Sequence, residues 1–591
     1  MSLEDISFPN PFTSQGEIFT LLECRIRALA GQILEKPEWW RKVRDEEIIS
    51  KWRQEFTEQD AELVKKVWPK LQEDYDESND DNGDWNANKH WPHKKITPEQ
   101  LNYLFGWLRW LADQRDAKTG IEMMHIRNVY QSYSLVSLHL RDALLKDALV
   151  LESVPEAEKD WHPGSNNQVL DLIHPSLHCF RIGKTLVNHS ETGSLYVPTV
   201  KEYMDGRKDL RFNYTPTALR PSSISDQHQW LPTDFLVSED GEVKCLSYIN
   251  NLHPDSHKSL YSTITSILAK FVPLWDRVLS DVLAGQGPII VVDPYSWYDN
   301  RSTPQPELEG FKQQHPKDEN AATAAYCHAE EEWWNSRDPY VPEPDEFSPP
   351  DAEDRVNFTL RGRTIQVIVK MANIILTPEE PEYAGGSWHV EGMDNERIVA
   401  TGIYYYDSSN VTESKLSFRH ALGEGMDMPY DQGDRQGYIR AYGVNGNEGP
   451  LNQELGYVVT KEGKCLAFPN IWQHCVSPFK LDNPSRPGHR KILCFFLVDP
   501  TLKIHSTSVV PPQQYEWYMR ELRRAPALKK LPVELFDIIA GLVKEDGSGT
   551  GGAITLDQAK AVREELMEER ANFVVELNEE VYEMEFNMCE H

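Results

Sequence analysis

The chain has 591 residues, a formal net charge of −32, 40% apolar residues and 17 tryptophans. That length exceeds one ordinary hydrophobic core and predicts two or more lobes or one large elaborated domain, and the apolar content argues against global disorder. The acidic balance makes nucleic acid a poor partner, because binding a phosphate backbone depends on a basic surface that displaces counterions, and no local basic stretch is evident in the sequence.

Eight cysteines are scattered without a CxxC pair, so they read as reduced thiols rather than a disulfide framework or a zinc finger. The opening MSLEDISFPNPF lacks a basic segment followed by an apolar one. Apolar runs such as Pro288–Val292 and Ile492–Val498 are too short to cross a bilayer. No membrane partner is expected, and the chain reads as a soluble protein of the cytoplasm or nucleus.

From Gly16 to Lys70, Ile18, Leu21, Leu22, Ile26 and Leu29 recur at three and four spacing, which predicts helices. The acidic, turn-rich stretch Asp74–Asp84 predicts a solvated loop. A second helical block is expected over Thr97–Leu151, with the tryptophans and leucines of LNYLFGWLRWLADQ in the core. In WLPTDFLVSEDGEVKCLSYIN, two β-like runs flank Glu239-Asp240-Gly241, a hairpin signal. A helix over Lys258–Leu283 and a buried strand, PIIVVD, follow. The charged, proline-rich stretch Asn300–Asp354 reads as an insertion or cover that Trp333 and Trp334 dock.

From Thr364 the pattern turns to β, in TIQVIVKMANIIL, ERIVATGIYYYD, SKLSFR, KCLAFP and RKILCFFLVDP. Several short strands without helical crossovers predict an antiparallel barrel or jelly roll. Helix returns near the end, after a break at Asp546–Ala553, where Thr555 and Gln558 have capping-box spacing. The expected fold class is α+β: a mainly helical region over 1–230, a β-rich core over 231–500 with the insertion at about 300–354, and a helical region over 501–591.

GGSWHVEG places His389 and Glu391 two residues apart at a strand edge, where i and i+2 project to one side and can converge on one ion. A third ligand must come from a distant strand, and His474 follows the apolar run KCLAFP. Arg490 then opens RKILCFFLVDP and offers a bidentate carboxylate contact. Asp394 and Asp407 compete with Glu391, and Arg486 and Lys491 compete with Arg490. His174 and His178 have the i, i+4 spacing of helical metal ligands, but Pro175 and the lack of a following glutamate favour a structural role. Asn250, Asn251 and His253 read as turn hydrogen-bonders. No GxSxG, HExxH or phosphate-binding loop is present.

This order resembles the Fe(II)/2-oxoglutarate-dependent oxygenases, whose pattern appears as His389-Val390-Glu391, His474 and Gly488-His489-Arg490 within about Thr364 to Pro500. The resemblance implies a double-stranded β-helix (jelly-roll or cupin-like) core wrapped by helical N- and C-terminal regions. It also implies Fe(II) held by His389, Glu391 and His474, and 2-oxoglutarate anchored by Arg490. Dioxygen would then hydroxylate a C–H bond of a small-molecule or peptide substrate, with release of succinate and CO2.

Two features depart from the pattern. Glutamate stands where aspartate is commoner, and Ile375 stands where some members carry the tyrosine of Asn-x-Tyr, leaving Tyr404 or Tyr406 to contact 2-oxoglutarate. The blocks Ser247–Pro254, LTPEEPEYAGGSWHVEG and Leu566–Arg570 also resemble a large fungal family known only as a domain of unknown function, DUF4246. The same residues leave two other readings: a cupin-like metalloenzyme that uses no keto acid, and a non-catalytic binding protein on the same barrel.

Overall fold

Runs rich in Val, Ile, Phe and Tyr form the strands that matter for the site. In chain order they are β1 (Glu122–Met123), β2 (Tyr130–Ser132), β3 (Val169–Ile173), β4 (Thr233–Val237), β5 (Val243–Cys245), β6 (Thr364–Leu376) and β7 (Glu382–Tyr383). Then come β8 (Ile398–Ser409), β9 (Lys415–Ala421), β10 (Asn452–Val459), β11 (Cys465–Pro469), β12 (Gln473–Val476), β13 (Phe479–Lys480) and β14 (Gly488–Val498). The computed structural model describes residues 6–12, 16–76, 91–189, 192–206, 223–285, 287–299, 304–423, 430, 434–526, 528–536, 538 and 553–588.

The fold is α+β around a nine-stranded antiparallel sheet in the order β1-β2-β11-β8-β14-β6-β4-β5, with β3 also paired to β6. It draws strands from both sides of residue 230. A smaller antiparallel sheet has the order β10-β9-β12. The two-residue period of the long strands separates their faces. Ile368, Ile403, Tyr405, Leu466, Phe468, Cys494 and Phe496 share one core with Leu416, Phe418, Leu455 and Val458 of the smaller sheet. Phe418 and Phe468 meet edge-on at 5.0 Å across the two sheets.

The other face carries Tyr404, Tyr406, Leu493, Phe495 and Leu497, which pack against helix α5 (Lys258–Ala284). Contact there is close: a Cβ added to Gly402 would lie 2.6 Å from Phe271.

Helices α1 (Leu21–Leu34), α2 (Glu46–Asp76) and α3 (Pro98–Gln114) cap the first core. The expected block Thr97–Leu151 is interrupted by the β1–β2 hairpin before α4 (Leu138–Glu152). PIIVVD is not a strand: the Ile289 and Ile290 amides donate to the buried Glu23 carboxylate at 2.6 and 3.4 Å, and Val291 is 73% exposed. A side chain has taken the place of the neighbouring strand.

The charged insertion holds α6 (Leu308–Gln314) and α7 (Glu319–Asn335). Its anchor is the buried Asp434, which accepts from Trp297 Nε1 (3.0 Å), Tyr298 Oη (2.9 Å) and Arg337 Nη2 (3.2 Å). Trp334 contributes as the ring beneath the Arg337 guanidinium, at 3.4 Å.

At the C-terminus, the predicted capping box opens α8 (Leu556–Leu577): Gln558 N donates to Thr555 Oγ1 and Thr555 N to Gln558 Oε1. Residues 77–84 of the predicted acidic loop and 546–552 of the predicted break lie outside the described residues. The described cysteines are all free thiols, and among the described residues no helix is long and apolar enough to cross a membrane.

Candidate metal centre

The segment after β7 lies close against β12. Gly385 has φ +94°, and a Cβ there would come within 2.7 Å of the Val476 carbonyl, so only glycine fits. Gly386 N then donates to Val476 O at 2.9 Å. His389 and His474 next exchange both main-chain hydrogen bonds, N to O at 3.2 Å and 3.0 Å. Residues opposite each other in such an antiparallel pair project to the same face, which brings the two imidazoles together with ring centroids 4.5 Å apart.

Glu391 is fixed by a side chain instead of a strand. Its N–H donates to Asn470 Oδ1 and its carbonyl accepts from Asn470 Nδ2, both at 2.9 Å. Gly392, at φ +72°, turns the chain away toward a loop held by α8. There Arg570 pairs with the fully buried Glu396 at 2.7 Å, and Glu396 accepts from the Trp230 and Met393 amides.

His474 Nε2 lies 3.4 Å from Glu391 Oε1, and His389 Nε2 lies 3.9 Å from the same oxygen. One ligand atom from each of the three lies within 4.8 Å of the others. Cis ligands about 2.1 Å from one ion stand about 3 Å apart, so closing on a cation takes only small side-chain shifts.

The tautomer also fits. His389 Nδ1 is 2.8 Å from the Ser387 carbonyl, which can only accept. The proton therefore sits on Nδ1, and the Nε2 lone pair faces Glu391. Burial, reinforced by His474, pushes His389 down to about 4. Burial alone would raise the Glu391 carboxyl, but His474, His389 and Lys370 outweigh it and hold the group at about 2, ionised.

A second triad, His162, Asp171 and His174, passes the same distance test. It fails on lone pairs. Ser176 N donates to His174 Nδ1 at 3.2 Å, so the buried, neutral His174 carries its proton on Nε2, the atom that faces Asp171. Asp171 Oδ2 is already 2.8 Å from His162 Nδ1. This is a hydrogen-bonded cluster, in keeping with the structural role expected of His174. His178 likewise bonds Asn251 through Nδ1, at 2.9 Å.

Arg490 points to the same side of the large sheet as Cys494. Its side chain is buried, with Nη1 donating to Ser414 Oγ and, at 3.2 Å, to Thr460 Oγ1. The guanidinium lies 4.8 Å from the Phe479 ring and 5.5 Å from that of Tyr405. Among the described residues no carboxylate comes within 4.0 Å of it. The competitors are engaged elsewhere: Lys491 pairs with Glu152 at 2.9 Å, Arg486 is exposed, Asp394 pairs with Arg397 at 2.9 Å, and Asp407 contacts His489 at 2.8 Å.

Residues 98–521 match the family described as "Protein of unknown function (DUF4246)", and residues 3–55 match "Domain of unknown function DUF4246, N-terminal". The chain belongs to the DUF4246 family. A comparison with curated proteins finds no match.

Among solved structures, this DUF4246 protein is similar to IDO from Bacillus thuringiensis, at 12% identity over 23% of this chain and 46% of that one, with TM-score 0.15. The Fe(II)/(alpha)ketoglutarate-dependent dioxygenase TqaL aligns at 11% identity over 62% of this chain and 90% of that one, with TM-score 0.22. AviO1 from Streptomyces viridochromogenes Tue57 aligns at 15% identity over 22% and 51%, with TM-score 0.13. The chain thus spans under half the length of the first of these. At such TM-scores the superpositions carry no argument, and chemistry must be read from the DUF4246 chain itself.

Two expected contacts need correction. Tyr404 and Tyr406 are buried on the α5 side of the large sheet, and Tyr406 Oη donates to Asn373 Oδ1 at 3.1 Å. Neither faces Arg490; of the three consecutive tyrosines, Tyr405 is the one on that side. Sequence reasoning also missed Asn470, Ser414, Thr460 and Lys370. Of these only Lys370 left a mark, as a lone charge inside the apolar run TIQVIVKMANIIL.

Proposed function

We propose that this protein is an Fe(II)- and 2-oxoglutarate-dependent oxygenase on a double-stranded β-helix core. The observation that carries the reading is a two-histidine, one-carboxylate face with a histidine lone pair aimed at the shared centre, the donor set that suits non-haem Fe(II) with open positions. Strand order supports the fold. In sequence, β6, β8, β11 and β14 belong to the large sheet, while the His389 segment, β9, β10 and β12 line up in the small one. Alternation between the two sheets, broken only where β9 and β10 follow each other in the small one, supports a jelly-roll reading.

His389, Glu391 and His474 would hold the ion, and Arg490 would receive the far carboxylate of 2-oxoglutarate. A buried guanidinium whose hydrogen-bond partners among the described residues are hydroxyls calls for an anion, which favours a keto acid over a cupin-like enzyme without one. Fe(II) bound there with 2-oxoglutarate supplies dioxygen chemistry that oxidises a substrate C–H bond and releases succinate and CO2. The protein's own work is positional. The paired main chains of His389 and His474 and the Asn470 clamp on Glu391 fix the donors, while Phe418 and Phe468 shield His474 at 6.4 and 5.0 Å.

The test is stoichiometric metal binding together with succinate formation that depends on added Fe(II) and 2-oxoglutarate. His389→Ala and His474→Ala should abolish both. Metal binding without any use of 2-oxoglutarate would favour the keto-acid-free metalloenzyme, and no metal binding would favour a binding protein.

A further inference from the structure

Lys370 interrupts the otherwise apolar β6 on the site face. It follows Ile368 by two residues and stands opposite Cys494, while Arg490 stands opposite Ile374. The two cations are thus offset by four residues, about 13 Å along the strands. Lys370 is half-buried, and among the described residues no carboxylate lies within 4.0 Å of its ammonium. Glu391 and Asp171 nevertheless keep it charged against the effect of burial, and both cations and Glu391 bear on the Cys494 thiol between them. Asp171 is not a free counter-ion. It belongs to a cluster in which Arg563 and Lys560 approach Asp160 at 2.8 and 3.5 Å and Arg563 lies 4.0 Å from Asp171.

We propose that Lys370 seats an acidic group of the substrate, so that the molecule oxidised at this site is a carboxylic acid. The inference rests on the oxygenase reading and adds a substrate class to it. A divalent ion, Glu391, Lys370, Arg490 and dianionic 2-oxoglutarate together leave one positive charge over. That charge sits on a half-buried lysine which, among the described residues, no acid contacts directly. A buried or half-buried charge is retained when something pairs with it, and one carboxylate of the substrate completes the balance. The chain's acidic net charge does not decide the matter, because what the substrate meets is the charge left at the site once the ion and 2-oxoglutarate are counted, and that remainder is positive.

The experiment uses full-length protein loaded with Mn(II) and saturated with 2-oxoglutarate. It is titrated with matched acids and amides: hexanoate and hexanamide, phenylacetate and phenylacetamide. Binding is read as a rise in thermal midpoint, since a ligand that binds only the folded state stabilises it. The acids should raise the midpoint and the amides should not. Lys370→Met should erase the difference and Lys370→Arg should keep it, with the 2-oxoglutarate Kd of Lys370→Met within about threefold of wild type.

Equal response to acids and amides, or an acid preference that survives Lys370→Met, overturns the proposal. So does a loss of 2-oxoglutarate affinity of about tenfold or more in Lys370→Met, which would assign the lysine to the cosubstrate. If Lys370→Met does not fold, Lys370→Gln takes its place. Wild-type protein that binds no 2-oxoglutarate would instead sink the oxygenase reading, a separate outcome measured before any acid is added.

Discussion

His389 and His474 are a hydrogen-bonded antiparallel pair, each amide donating to the other's carbonyl. The contact that brings the imidazoles together is therefore made by main chain and does not depend on the side chains. Replacing either ring by alanine should leave the pairing, and so the fold, in place. Metal affinity should fall by more than about 100-fold in each variant while the far-UV circular dichroism stays unchanged. Asn470→Ala should behave differently. It frees the part-buried N–H and carbonyl of Glu391 and the buried carbonyl of Ile398, and is expected to cost about 1–3 kcal/mol of stability together with about tenfold in metal affinity. Equal metal binding by wild type and Asn470→Ala would show that the clamp does not set the carboxylate.

Arg490 gives a prediction with opposite signs for binding and stability. Burial pulls its pKa down, and its partners are hydroxyls, so in protein without cosubstrate it is a costly charge. Arg490→Met should leave the cosubstrate-free protein as stable as wild type or more so. The same change should weaken 2-oxoglutarate by about 10- to 100-fold, from the loss of charge-assisted hydrogen bonds worth about 1.5–3 kcal/mol, with metal binding retained. Calorimetric titration and thermal melts on the same two proteins check both signs, and parallel loss of stability and affinity would contradict the assignment.

What could be read in advance divides along physical lines. The run Thr364–Leu376 predicts β6 with the bounds it has, because a long apolar run rich in β-branched residues has few alternatives. PIIVVD has the same composition but no neighbouring strand to pair with, and Glu23 satisfies its amides. The β1–β2 hairpin is not legible in the sequence, because strands of two and three residues carry almost no periodic signal. At the site, the period-two rule put Tyr404 and Tyr406 on one face and Tyr405 on the other. Which face met Arg490 depended on where α5 packs, a tertiary fact. Asn470 could not be recognised as a clamp, since its target lies across a loop rather than along a strand.

Gly402 lies in the middle of β8, where α5 leaves no room for a side chain. A Cβ would meet Phe271 at 2.6 and 2.9 Å and Trp275 at 3.4 Å, and both rings pack around Phe495. Gly402→Ala should destabilise by about 1–3 kcal/mol, as overpacking of a close-fitted core does. Gly402→Val should cost more. Denaturant melts should show the midpoint falling in that order. Because Gly402 faces away from His474, metal affinity in the folded fraction should be unchanged.

Lys464 offers a pH test away from the centre. Its side chain is fully buried, 2.9 Å from Glu35 Oε1. Burial pushes its pKa down from 10.5 to about 8, with Glu35 offsetting part of the drop. Between about pH 8 and 10.5 the unfolded chain then binds more protons at this site than the folded one, so the group's contribution to stability rises with pH across that window. Below pH 8 its burial costs the fold about 3 kcal/mol relative to an exposed lysine. Lys464→Met removes the titration. Other thiols and phenols titrate in the same range, so the informative quantity is the difference between the two proteins. The stability of wild type relative to Lys464→Met should climb from pH 8 to pH 10. A flat difference would show that Glu35 holds the lysine at its ordinary value.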